Sequence, residues 1–113
     1  MEATMRLDQL AEKLDLKHIC GSTDREYDGV YAGDLLSWVM SNASADNIWI
    51  TIMSNLNVIA VASLTEVACV LLAEDVTLSD EALKAAEEKN ITVFSSGKTA
   101  YELCVAIAKA EEE

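Results

Sequence analysis

The sequence predicts a single small α/β domain, with a mostly parallel sheet of about five short strands covered by helices. Short runs rich in β-branched residues alternate along the chain with longer amphipathic runs, a pattern typical of strands joined by helical crossovers. The chain has 113 residues, and 51% of them are hydrophobic, which is enough to form one core. No linker, repeat or low-complexity segment divides it, so we expect one domain over residues 1–113.

The first third of the chain predicts two helices and two strands. Apolar residues recur with helical spacing up to Leu14, which predicts a helix over residues 4–14. Strands are expected over residues 17–20 and over about 27–32. Asp34 is placed to accept the free N–H groups of a following helix, which we expect over residues 35–42.

The remainder continues the alternation. Residues 47–52 are the strongest strand signal, being β-branched and aromatic. The apolar run up to about residue 68 fits either a strand or a buried helix, and we favour a helix because parallel strands need a crossover. Further elements are expected in the order strand, helix, strand, helix, over residues 69–73, 77–90, 91–94 and 99–109. We expect the final acidic tail, residues 111–113, to fray because negative charge is unfavourable at a helix C-terminus.

Charge excludes two classes of partner. Eight Lys and Arg residues stand against 20 Asp and Glu, which gives a formal net charge of −12. Such a field repels phosphate backbones and anionic lipid headgroups, so we expect no nucleic-acid partner and no membrane partner. The N-terminal residues lack the apolar stretch of a secretory signal, and we predict a cytoplasmic protein.

The cysteines and the single histidine predict structural roles. Cys20, Cys69 and Cys104 are far apart and odd in number, so we expect reduced thiols and neither a disulfide framework nor a metal site. His18 is the only imidazole, and we interpret it as a partly buried, hydrogen-bonded side chain. We therefore expect no cofactor.

No complete catalytic motif is present, so we predict that the protein is not an enzyme. Residues 95–99 look like the end of a phosphate-binding loop, but Thr92 stands where its first glycine is required. A turn that starts the last helix is the better interpretation. Adjacent acids such as Glu74 and Asp75 could in principle hold magnesium, although most such pairs lie on solvated helix surfaces.

The loop from Asp24 to Asp34 is the candidate ligand site. It concentrates polar side chains between a strand and a helix, where α/β sheets bind ligands. We predict that Asp24, Arg25, Gly29 and Asp34 contact the ligand. Arg25 would pair with an anionic group of that ligand. The alternative is a simple surface loop.

The helix after this loop carries a candidate interface. Leu35 and Trp38 lie off its main apolar stripe, so a second face of the helix is apolar. We predict that these two residues form a subunit interface. The alternative is that Trp38 covers a neighbouring loop.

Several segments together resemble DRTGG domain proteins and the related N-terminal domain of HPr kinase. They are D-R-E-x-x-G-x-Y-x-x-D-L-L-S-x-V-M-x-N-A, the strand W-I-T-I, the run A-V-A-S-L-x-E-V-A, and S-D-E-A-L-K-A-A-E-E-K-N-I-T-V-F-S-S. The chain departs from the pattern at Ala73-Glu74-Asp75, where the family commonly has a T-x-G-like turn, and at Trp38, where a polar residue is expected.

The resemblance implies a regulatory class and no reaction. Family members are small α/β modules, usually dimeric, that accompany nucleotide-sensing domains, and the catalytic loop of HPr kinase lies in a domain that does not match this chain. We therefore predict a non-catalytic regulatory or interaction module, a homodimer that senses a small ligand such as an adenine nucleotide or docks a partner protein. The alternative is an accessory protein or magnesium-dependent enzyme component associated with an anaerobic hydrogenase or a phosphotransfer system.

Overall fold

A computed structural model describes residues 5–113, in which five helices cover both faces of a five-stranded sheet. The elements in chain order are α1 (Leu7–Leu14), β1 (Lys17–Cys20), β2 (Val30–Ala32), α2 (Leu36–Asn42), β3 (Ile48–Thr51), α3 (Leu56–Thr65), β4 (Cys69–Leu72), α4 (Asp80–Lys89), β5 (Val93–Ser95) and α5 (Ala100–Glu112).

The sheet has the order β1-β5-β4-β3-β2. Strands β2 to β5 are parallel, and β1 pairs antiparallel with β5. Each parallel pair is joined by one helix, and because the chain moves across the sheet in one direction, α2, α3 and α4 lie on the same face. Helices α1 and α5 cover the other face. The predicted fold class is confirmed.

Alternate strand residues supply the two halves of the core. Trp49 and Val70 point towards α2, α3 and α4, whereas Ile50 and Leu71 point towards α1 and α5. All four side chains are fully buried. Strands covered on both faces are apolar throughout, which explains why β3 and β4 read as continuous hydrophobic runs.

The first helix and the second strand are shorter than predicted. The expected helix start at Thr4 lies outside the described residues, and Arg6 is the N-cap residue of α1. Arg6 instead forms an isolated antiparallel bridge with Glu26. The predicted strand over 27–32 begins only at Val30, because Gly29 has a positive φ of 82° and interrupts the extended backbone.

The choice of a helix between β3 and β4 is confirmed, and its start is encoded locally. The Asn55 side chain accepts a hydrogen bond from the Asn57 N–H at 3.0 Å and so caps α3. The predicted fraying of the acidic tail is wrong, since α5 continues to Glu112. Two contacts hold this end: Glu113 pairs with Lys13 at 3.0 Å, and Glu111 accepts from the Tyr27 hydroxyl at 2.7 Å.

The cysteines are free thiols, as predicted, and one of them makes folding sensitive to alkaline pH. Burial raises the pKa of the Cys69 thiol from 9.0 to about 12. Above pH 9 the unfolded chain loses this proton while the folded chain keeps it, so the free energy of unfolding falls as pH rises from about 9 towards the folded pKa of about 12.

We expect the free energy of unfolding to fall by about 1 kcal/mol between pH 9 and 10 through this thiol. In the variant Cys69→Ala the free energy of unfolding should fall less steeply with pH. In Cys104→Ala, which removes a half-buried thiol, it should fall as steeply as in the wild type. Urea unfolding at several pH values measures both. Parallel profiles for the wild type and Cys69→Ala would contradict the prediction.

Candidate functional site

A cleft of about 220 Å³ opens at the carboxyl ends of strands β2 and β3. Asp34, Thr51 and Glu74 contribute its polar groups, and Ile50 and Ile52 contribute apolar wall. Ligands of open α/β sheets bind outside the carboxyl ends of the strands, which makes this cleft a candidate site.

Asp34 is the central polar side chain of the cleft, and its predicted role as a helix cap is wrong. Its Oδ1 atom accepts hydrogen bonds from the Thr51 hydroxyl at 2.7 Å and from the Ile52 N–H at 2.9 Å. Leu35, in extended backbone, is the N-cap residue of α2 and makes no side-chain cap. The end of β3 presents two donors together, and the carboxylate binds them in preference to the helix N-terminus.

We expect Asp34→Ala to lower the free energy of unfolding by about 1–3 kcal/mol, because the nearly buried Thr51 hydroxyl would lose its acceptor. Asp34→Asn keeps an acceptor oxygen and should lose less. Urea unfolding, monitored through the fluorescence of buried Trp49, measures the difference in the free energy of unfolding. Equal stability of Asp34→Ala and the wild type would show that the carboxylate does not anchor β3.

The other three predicted ligand residues lie at the opposite end of the strands. Arg25 pairs with Asp46 at 3.6 Å, and Asp46 precedes β3. Asp24 pairs with Arg6 at 2.9 Å. The Gly29 carbonyl accepts from the N–H of Ile48, the first residue of β3. The structure therefore brings Asp24, Arg25 and Gly29 to the amino end of the sheet and leaves Asp34 at the carboxyl end.

The amino-end cluster ties the loop to α1. Arg6 contacts the carboxylates of both Asp8 and Asp24, and the hydrogen bond from Arg6 lowers the pKa of Asp8. The Arg25 carbonyl also accepts from the Leu7 N–H at 2.8 Å. The Arg25 guanidinium makes only a long ion pair with Asp46 and is partly exposed. Its role as a ligand contact stays a prediction.

Glu74 reaches the cleft from an unusual backbone conformation. Glu74 and Asp75 both have a φ of 60°, the left-handed region in which a side chain is strained. Their N–H groups donate to the carbonyls of Lys98 and Ser96, each at 2.9 Å, and these bonds hold the turn. This is the position where the sequence departs from a T-x-G-like turn. The departure places a second carboxylate in the cleft that Asp34 lines.

Leu35 and Trp38 are exposed, with 66% and 63% of their surfaces accessible. Ile52 is 44% exposed, lines the cleft, and donates its N–H to the carboxylate of Asp34, the residue before Leu35. We call Leu35, Trp38 and Ile52 the α2 face. The large exposure of Trp38 argues against the alternative that it covers a neighbouring loop. The α2 face borders the cleft.

The two other motifs singled out in the sequence have structural roles. Thr99 caps α5, and it exchanges hydrogen bonds with Glu102 at 3.2 and 2.9 Å, so residues 95–99 form the turn that starts this helix. His18 Nε2 lies 2.7 Å from the Gly21 carbonyl, and its ring is tilted against Phe94. The ring is exposed and not partly buried as predicted.

The described residues form neither a metal-binding cluster nor a membrane-spanning helix. No group of three His, Cys, Asp or Glu side chains within 5–113 is arranged to hold a metal ion. From Met5 onward, no helix combines the length and apolar character needed to cross a membrane.

Sequence reasoning missed Arg6, Asp46 and Thr51. Arg6 pairs with nearby Asp8 but reaches Asp24 only through folding, and Asp46 and Thr51 likewise meet Arg25 and Asp34 only after distant segments come together. None carries a local signal, because threonine is common in strands and a single surface arginine or aspartate is ordinary.

Comparison with known proteins gives a likeness of fold. No protein-family model and no curated protein matches the sequence. The chain is similar in structure to the CBS and DRTGG domains of the regulatory region of Clostridium perfringens pyrophosphatase, crystallised with the activator diadenosine tetraphosphate. The TM-score is 0.79 at 17% identity, covering 94% of this chain and 47% of that chain. The chain thus spans about half the length of that regulatory region and has a DRTGG-like fold.

Proposed function

We propose that this chain is a non-catalytic regulatory module that forms a homodimer through the α2 face and senses a small ligand at the adjoining cleft. The observation that carries the proposal is the exposure of Leu35 and Trp38 at the start of the helix that directly follows Asp34, a residue of the cleft. Exposed apolar side chains that border a cleft are typical of surfaces that bind another molecule. The fold likeness to a regulatory region supports the same class.

The chemistry of the cleft limits which part of a ligand it receives. Asp34 and Glu74 line it, and no lysine or arginine does so among the residues described. Two carboxylates repel a bare phosphate and favour hydroxyl or amino groups that can donate hydrogen bonds. The volume of about 220 Å³ is below that of a usual drug-sized pocket. We propose that the cleft takes the nucleoside part of an adenine nucleotide.

Arg25 lies too far from the cleft to contact the same part of the ligand as Asp34. It lies with Asp24 and Gly29 at the amino end of the sheet, where a partly exposed guanidinium can pair with an anionic group. Because this end is separated from Asp34 by β3, we assign the Arg25 region to contact with a partner protein or a second ligand group. Substituting Arg25 should therefore leave binding at the cleft unchanged.

A magnesium-dependent accessory role is the second candidate function. The observation that favours it is that Asp34 and Glu74 line one cleft. Carboxylates are ligands that Mg²⁺ prefers, usually together with substrate phosphates. Nucleotide binding that requires magnesium would support this candidate, and turnover of the nucleotide would overturn the non-catalytic proposal.

Two measurements test the proposed function. Light scattering should give about twice the 12.3 kDa monomer mass. Titration of the ¹⁵N-labelled protein with AMP, with and without magnesium, should shift the backbone amide signals of Gly33 and Ile52. A strict monomer at high concentration would contradict the dimer, and unchanged signals at these two amides would contradict the ligand site.

A further inference from the structure

Three of the eight basic residues of this acidic chain converge on one groove. Lys13 comes from the last turn of α1, Lys98 from the loop before α5, and Lys109 from the last turns of α5. They surround a depression of about 510 Å³ with Ala106 and Ala110 among its apolar lining. We call this depression the α1–α5 groove. Its volume is within the range of small-molecule sites.

Two of these lysines form no ion pair with any residue from Met5 to Glu113. Among residues 5–113, neither Lys98 nor Lys109 has a carboxylate oxygen within 4.0 Å of its ammonium nitrogen, whereas Lys13 pairs with Glu113 at 3.0 Å. Neighbouring unpaired cations repel each other, and an anion bound between them would relieve that repulsion. In a chain of net charge −12 the groove is a local exception to the acidic surface.

An exposed aromatic ring continues the groove along α5. A second depression of about 270 Å³ shares Lys98, Ala106 and Lys109 with the first and adds Tyr101 and Val105. The Tyr101 side chain is 78% exposed, the highest value among the exposed large hydrophobic residues of the described chain. An exposed ring beside cations is the arrangement on which nucleic-acid bases stack while their phosphates meet positive charge.

The acidic residues at this surface lower its affinity for an anion but do not neutralise the charge of all three lysines. Glu102 lines the second depression, but its side chain is held by the Thr99 N–H at 2.9 Å. Glu113 is paired with Lys13, and Asp15 ends α1 at the rim of the groove. Exposed ion pairs contribute little each, so we expect a dissociation constant of about 1 mM.

We propose that the α1–α5 groove binds a phosphorylated ligand with an aromatic ring, the phosphates lying between Lys98 and Lys109 and the ring stacking on Tyr101. This site lies on the α1 and α5 face of the sheet and is separate from the cleft at Asp34. Its chemistry is also the converse of the cleft's, because the groove offers cations where the cleft offers carboxylates.

Titration with ATP in the absence of divalent cations tests the groove. Backbone amide signals of Leu14, Ala106 and Lys109 should shift in the wild type. The double variant Lys98→Ala with Lys109→Ala should bind at least tenfold more weakly, and Lys84→Ala, which removes an exposed lysine from α4 on the other face, should bind as the wild type does. Unshifted signals at millimolar ATP, or equal binding by the double variant, would overturn the proposal.

A comparison of ATP with inorganic triphosphate tests the role of the ring. Tyr101→Ala should weaken ATP binding about fivefold or more and leave triphosphate binding unchanged. Equal effects on both ligands would overturn the stacking assignment. The test is independent of the proposed function, since shifts confined to Gly33 and Ile52 would support the cleft and refute the groove, and shifts confined to the groove would do the reverse.

Discussion

Replacing Gly21 with alanine is expected to lower the free energy of unfolding by about 3 kcal/mol or more, a large part of the stability of a domain this size. Gly21 directly follows β1 and has a φ of 86°, in the left-handed region. A Cβ atom there would lie 2.4 Å from the Thr92 Cα and 2.6 Å from the Ile91 carbonyl oxygen. Both are backbone atoms of the segment entering β5, so relief requires moving the edge strand. Urea unfolding measures the loss.

Gly97→Ala is the matched control. Gly97 has no positive φ, and the nearest atom to an added Cβ would be a carboxylate oxygen of the exposed Asp75 side chain at 3.1 Å. That side chain can rotate away, so we expect a change within about 0.5 kcal/mol. Equal stabilities of Gly21→Ala and Gly97→Ala would show that β1 tolerates displacement from β5.

Replacing Trp38 with glutamate is expected to raise the dimer dissociation constant at least about 30-fold, which yields monomers at micromolar concentration. The ring is 63% exposed in the monomer and lies next to Leu35, so its burial by a second copy would remove a large apolar area from water. A glutamate at this position would bury a charge. Sedimentation velocity over a range of concentrations measures the constant.

Tyr101→Ala is the control for this prediction, since Tyr101 is an aromatic residue even more exposed than Trp38 and lies on the opposite layer. It should leave the dimer intact. The circular dichroism spectrum of Trp38→Glu should match that of the wild type, because Trp38 contributes no buried side chain to the monomer. An unchanged dissociation constant for Trp38→Glu would place the interface elsewhere.

Much of the fold could be predicted because its signals are local. The Asn55 and Ser79 side chains cap helices α3 and α4 from within one turn, and Asn90 closes α4 in the left-handed conformation. The β-branched and aromatic residues of β3 likewise indicated a strand without reference to the rest of the chain. Short loops and helical crossovers then required a mostly parallel sheet, whatever the order of its strands.

The candidate site was only partly predictable, since the partners of its side chains are remote in sequence. Asp34 looked like a helix cap because a helix follows it, yet Thr51 and Ile52 supply better-placed donors once β2 and β3 pair. Arg25 and Asp34 looked like one loop site because nine positions separate them in the printed sequence. The strand between them carries them to opposite ends of the sheet.

The class of fold and the succession of its elements follow from patterns within the sequence, which also contains no complete catalytic motif and offers Leu35 and Trp38 as interface candidates. Which side chains share a surface depends on the tertiary structure. Lys13, Lys98 and Lys109 form one groove because α1 packs beside α5, and the pairing of Lys13 with Glu113 spans 100 positions. The reason is physical: periodicity and capping act within a few residues, whereas a binding surface is made by packing between segments.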